Sequence, residues 1–138
     1  MQFNLKTIIL TSLLILGSIN VLAEQEKLLQ KIIQPKTQIY IFVSFSMADA
    51  ALNSYFIEAE QVGAKLVMRG LKNNSFLETK AKADEIAISF DIDPNLFEKY
   101  QITSVPVAVI DNNQGQVKKL TGHIGLNDAL QIMQEEQM

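Results

Sequence analysis

Residues 42–51 read FVSFSMADAA and residues 102–110 read ITSVPVAVI. The first stretch ends a run, TQIYIFVSF from Thr37, that is rich in β-branched and aromatic residues. It is apolar at nearly every position from Ile39 to Val43, the pattern of a central strand buried on both faces. At SMAD the spacing changes. Ala48, Ala51, Leu52, Tyr55, Phe56, Ala59 and Val62 fall on one helical stripe, with Asn53, Glu58, Glu60 and Gln61 on the other face. Ser46 and Asp49 form an S-x-x-D pair, so a helix is expected to begin there, with the hydroxyl capping the amide three residues on and the carboxylate at the positive helix end. The second stretch places Val-Pro at the head of another strand.

Gly63 closes the first helix, and AKLVMRG supplies a strand through Met68. Ser75 with Glu78 repeats the capping pattern and opens a helix with Phe76, Thr79, Ala83, Ile86, Ala87 and Phe90 along one side. Asp93-Pro94 reads as N-cap and first helical residue of a short helix with Leu96, Phe97 and Tyr100 inward. VPVAVID from Val105 is a further strand. Asn112, Asn113 and Gly115 turn the chain into QVKKLTG, an antiparallel partner. Leu126, Ala129, Leu130 and Met133 mark the inner face of a last helix. Strands separated by helices favour parallel pairing, and the late hairpin adds an antiparallel edge. The expected fold class is α/β, a thioredoxin-like three-layer sandwich with a central mixed sheet and no cysteines.

The N-terminus sets the compartment. MQFNLK carries Lys6 and leads into an apolar run ending at VLA, where Val21 and Ala23 fit the small-residue pattern of signal-peptide cleavage. The run is interrupted by Thr11, Ser12, Gly17, Ser18 and Asn20 and is short for a membrane span of roughly 20 apolar residues. The expected organisation is a signal peptide over 1–23, cut after Ala23, a lead-in helix over 24–36 ended by Pro35, and one thioredoxin-like domain over 37–138. An uncleaved anchor is the alternative. The chain has 12 basic and 15 acidic residues, net −3. With a single arginine and no basic cluster it lacks the phosphate-neutralising footprint of a nucleic-acid binder. The absence of cysteine removes thiol redox chemistry, thiolate metal sites, cysteine nucleophiles and a lipid-acceptor cysteine, and leaves stability to the core alone.

Two loops hold the candidate site. In redox-active thioredoxin-like domains a Cys-x-x-Cys begins the helix after the central strand, where the helix dipole stabilises a thiolate. Here Met47 and Ala50 occupy the two cysteine positions, so the shape of the site can persist without its reaction. The same fold places a cis-proline at Ser104-Val105-Pro106, so the Val105–Pro106 bond is expected to be cis. A loop of that kind facing the helix N-terminus can pair with an extended peptide by strand addition. The surface expected is a docking groove made by Phe45, Ser46, Met47 and Val105; the plain alternative is that Pro106 only shapes a turn. Arg69 has two readings: a clamp for a partner's carboxylate, or a solvated strand-end charge or intrachain pair, the commoner outcome. Ser46, Asp49 and the single His123 do not approach one another in sequence, and capping is the better reading of the first two. His123 alone makes no metal site, and Asp91 and Asp93 lack calcium-loop spacing. No cofactor and no metal are expected.

Three strings in one order then sharpen the reading: FVSFSM, LVMRGL over Leu66–Leu71, and DIDPNLFEKYQITSVPVAVI over Asp91–Ile110. Together they resemble the TrbC family of F-type conjugative pilus assembly proteins, across roughly Ile39 to Gly122. Family members usually carry Pro after the SM pair, where this chain has Ala48, and longer members have extra sequence before the domain. The resemblance implies a periplasmic, non-enzymatic protein of a type IV secretion system. Its expected partners are other pilus assembly proteins, TraW-like among them, and pilin. The leading expectation is an adaptor; the alternative is a peptide-binding holdase for pilin or another exported client.

Overall fold

The computed structural model describes residues 17–30 and 36–136. Residues 17–30 are one helix in a unit separate from the domain that begins at Lys36, and each is described by itself. This helix runs through the expected cleavage point after Ala23; the rest of the expected lead-in helix, 31–35, lies outside the described residues. Among the described residues no helix is long and apolar enough to cross a membrane.

The domain is built on five strands, β1 (Gln38–Val43), β2 (Lys65–Met68), β3 (Asp91–Ile92), β4 (Val107–Asp111) and β5 (Val117–Thr121), in the order β3-β2-β1-β4-β5. β1 is central, parallel to β2 and antiparallel to β4, with Tyr40 opposite Lys65 on one side and Val109 on the other. The helices are α1 (Asp49–Val62), α2 (Phe76–Ile86), α3 (Pro94–Lys99) and α4 (Leu126–Glu135). Because successive strand side chains face opposite ways, β1 divides itself between two cores. Ile41 and Val43 pack with Leu52, Tyr55 and Ala59 of α1 and with the inner face of α4. Tyr40 and Phe42 pack with Phe97, Tyr100 and Ile102 on the α3 side, Phe42 meeting Phe97 edge to face at 4.9 Å. The result is a three-layer sandwich.

Local sequence accounts for most element ends. Gly63 takes a left-handed φ of 69° and returns its N–H to Ala59 O, closing α1. Ser75 accepts from Glu78 N at 3.2 Å and Asp93 from Leu96 N at 3.1 Å, so both of these expected caps form. In the β4–β5 turn the Asn112 side chain accepts from Gln114 N and Gln116 N, and Gly115 sits at φ 88°. α4 starts at Gly125 without a cap of its own; Glu58 of α1 supplies one by accepting from Leu126 N.

Four expectations are corrected. The first helix starts at Asp49 with Ala48 as an N-cap lacking a side-chain bond, because the Ser46 hydroxyl is drawn to Ser44 Oγ at 3.0 Å. α2 ends at Ile86, with Ala87 left-handed at φ 54°, rather than reaching Phe90. Asp91 and Ile92, just beyond, form a strand that was not expected, β3, parallel to β2 through Val67–Asp91 and Met68–Ile92. Phe76, expected inward, is 67% exposed beside Leu77 at 77%.

At the N-terminal end of β1 lies a buried polar cluster. Asp111, which pairs with Gln38, accepts from the Tyr100 hydroxyl at 2.7 Å, Lys99 Nζ at 3.0 Å and Asn113 N at 2.7 Å. The Tyr100 bond, followed by the Asn113 N–H, holds the Asp111 carboxyl below the usual carboxylate range, against the opposing effect of burial.

Candidate functional site

The opposite end of the sheet carries an open groove of about 620 Å³ at the carboxyl ends of β1 and β2. Its place follows from topology. β1 has a parallel neighbour on one side and an antiparallel one on the other, so the chains leaving it diverge, and open α/β sheets bind ligands at such a point.

The floor is apolar, made by Val43, Met68, Phe97 and Ile102. One wall is the turn after β1. Phe45 lies in it, edge to face with Phe90 at 5.4 Å, and Ser46 stands exposed with its N–H and hydroxyl both directed at Ser44 Oγ. The opposite wall is Ile102–Val105. Here the Val105–Pro106 bond is cis, and Pro106 is fully buried with its carbonyl accepting from Gly122 N at 3.1 Å. Among the described residues none makes a backbone hydrogen bond to Thr103, Ser104 or Val105. Unpaired main-chain groups along an exposed wall are what an added strand requires.

The far end is closed by Arg69–Asn73. Arg69 donates from Nη2 to Ile102 O at 3.1 Å and lies over the Phe97 ring, 5.2 Å from its centroid. This ties β2 to the Pro loop, a third outcome beside the two expected of this side chain. The loop after it is pinned by α2. Thr79 Oγ1, in a residue only 4% exposed, accepts from Lys72 N at 2.9 Å and donates to Ser75 O at 2.7 Å. Asn73 Nδ2 donates to Glu78 at 2.7 Å. Asn73 and Asn74 hold φ of 50° and 55°, a left-handed conformation that asparagine tolerates better than most residues.

Of the residues singled out in the sequence, the structure brings Phe45, Ser46, Arg69 and Val105 together in the groove. Met47 packs against the core beneath the α1 start and is not among the groove-lining residues. Asp49 pairs with Lys82 of α2 at 2.7 Å, and Pro106 is interior. His123 is exposed, outside the groove, so Ser46, Asp49 and His123 form no catalytic group. Sequence reading missed the Leu71–Asn73 and Thr103–Ser104 walls. The paired asparagines in GLKNN were the available sign of a tight turn there.

The model of the type-F conjugative transfer system pilin assembly proteins, TrbC_Ftype, matches residues 41–133. The chain is 32% identical over 104 residues to the periplasmic protein TrbC of Escherichia coli K12, covering 71% of this chain and 48% of that protein. It thus spans about half the length of the curated relative it matches. Among solved structures, the exposed lipoprotein thioredoxin of Streptococcus pneumoniae superposes with a TM-score of 0.58 at 18% identity, covering 76% of this chain and 88% of the other. StoA of Bacillus subtilis gives 0.54 at 16%, covering 73% and 84%. At these identities the likeness shows a thioredoxin-like fold and no more. The match of this family model to residues 41–133, which span both groove walls, together with the identity to TrbC, places the chain in the TrbC family of type-F conjugative transfer pilin assembly proteins.

Proposed function

We propose that this protein is a periplasmic adaptor in the assembly of a conjugative pilus, docking an extended segment of another assembly protein in the groove between the β1 turn and the Pro loop. The observation that carries the reading is the unpaired backbone of Thr103–Val105 along a groove with an apolar floor. Main-chain pairing supplies affinity in such a mode, and pockets for alternate side chains supply selectivity. Thiol exchange has no part in it, since the chain has no cysteine. The similarity to a periplasmic TrbC supports export; removal of the signal peptide after Ala23 is proposed from the N-terminal pattern alone. TraW-like assembly proteins and pilin are the proposed partners.

The test is photocrosslinking in cells with probes at Ser46 and Thr103, and a control probe at Gln131 on the exposed side of α4. Capture of a pilus assembly protein at the two groove probes is the expected result. Silence there, with capture at Gln131, would move the function to another face. Capture of many unrelated exported chains, with suppression of their aggregation, would make the protein a holdase using the same groove.

A further inference from the structure

We propose that the groove selects a segment bearing an aspartate or glutamate side chain between apolar neighbours, and that Arg69 is the residue that reads it. The inference rests on the docking-groove reading above and specifies its occupant.

Charge is the first argument. The chain carries three more acidic than basic residues, yet the groove lining contains Arg69 and Lys72 and no aspartate or glutamate. The groove is therefore a cationic site on an acidic protein, and its field favours an anionic occupant. The second argument is the state of Arg69. A guanidinium has five N–H donors in a rigid fork suited to a carboxylate. One is engaged with Ile102 O, and the Phe97 ring lies beneath the plane. These contacts fix the group without neutralising it. Among the described residues Arg69 has no ion pair, although lysines 65, 72, 80, 82 and 99 all do. Lys72 is partly engaged by Glu78 at 3.8 Å and so contributes charge more than geometry.

The third argument chooses a side-chain carboxylate over a chain terminus. Three successive residues, Thr103 to Val105, offer unpaired main-chain groups, which suits a strand that continues through the groove. Alternate side chains of that strand face the floor. One that meets Arg69 lies beside Phe97 and Ile102, so its neighbours on that face meet apolar surface.

The test is a nuclear magnetic resonance titration of the protein, purified in the form in which cells export it, with an acetylated and amidated peptide Thr-Leu-Val-Glu-Val-Leu-Thr. Counterparts carry Gln or Lys in place of Glu, and a further Gln peptide has a free carboxyl end. Amide shifts of Thr103, Ser104 and Val105 report the groove. The Glu peptide is expected to bind about tenfold tighter than the Gln peptide, the scale of one charge-assisted forked contact at a part-exposed site. Arg69→Gln should erase that difference, whereas Arg69→Lys should keep part of it. The comparison of peptides on the unmodified protein stands even if a variant folds poorly. Equal affinities for Glu and Gln peptides, with groove shifts present, would overturn the carboxylate selectivity and leave the groove. Tight binding confined to the free carboxyl end would overturn it in favour of a chain terminus. No groove shift with any peptide would remove the docking reading as well.

Discussion

Replacing Asp111 by asparagine changes one atom in the polar cluster at the N-terminal end of β1, and its cost can be worked from the geometry. The Asp111 side chain is 6% exposed and accepts three hydrogen bonds, from Tyr100, Lys99 and Asn113. An asparagine has one acceptor oxygen and a donating amide nitrogen. Either the Asn113 N–H, bound to Oδ1, or the Tyr100 hydroxyl and Lys99, which share Oδ2, must then face a donor. Lys99 is half exposed and can turn to water, so the expected loss at pH 7 is roughly 1–3 kcal/mol, the cost of one buried polar group left unsatisfied. The effect of pH follows from the direction of the shift. The folded carboxyl titrates below its ordinary value, held there first by the Tyr100 hydroxyl. Below about pH 4 the unfolded chain therefore takes up protons that the folded chain does not, and stability is lost as pH falls through the folded value. Asp111→Asn has no such titration, so the gap between variant and parent should narrow below about pH 4. Urea unfolding followed by far-ultraviolet circular dichroism from pH 7 to pH 3 measures both. A variant as stable as the parent at pH 7, or a gap that stays constant with pH, would refute the reasoning.

Thr79→Val keeps the shape of the buried side chain but removes the acceptor for Lys72 N. A loss of about 1–2 kcal/mol is expected, with faster hydrogen exchange at the amides of Lys72 and Asn73. Glu58→Ala uncaps α4 by taking the acceptor from Leu126 N, and chemical unfolding should show a loss of about 1 kcal/mol. Ala87→Gly relieves a left-handed alanine at the end of α2. The relief outweighs the entropy of the added glycine, so a gain of about 0.5 kcal/mol is expected in the same assay. Phe76→Ser, at a side chain 67% exposed, should leave thermal stability within about 0.5 kcal/mol of the parent.

What was legible in the sequence had a local cause. Ser75 and Asp93 cap their helices because each meets an amide three residues on, and no rival partner is near. Leu126, Ala129, Leu130 and Met133 are all buried because one helical face was apolar. Ser46 has the same capping chemistry and fails, since Ser44, two residues before it, offers an acceptor at 3.0 Å. β3 was hidden because two residues carry no periodicity; they pair only once β2 is in place. No glycine marks the end of α2, where Ala87 takes the left-handed conformation itself. The position of Phe45, Ser46 and Val105 in one groove followed from the fold, but the role of Arg69 did not. Its carbonyl partner is 33 residues away, and nothing in RGL names it. The same holds for Thr79, a residue that reads as helix interior and acts as the clamp of a groove wall.

The pairing of β1 with β4 also sets the order of events during folding. Tyr40 meets Val109, so the strand at the heart of the sheet stays open along one edge until residues near the end of the domain arrive. A chain crossing a membrane N-terminus first would present this apolar strand long before its partner emerges, and unpaired edges of that kind invite association with other chains. Pairings so distant in sequence also slow folding. Groove walls drawn from residues 44–46, 69–73 and 102–105 come together only when β4 has joined the sheet, so the groove is a late product of folding.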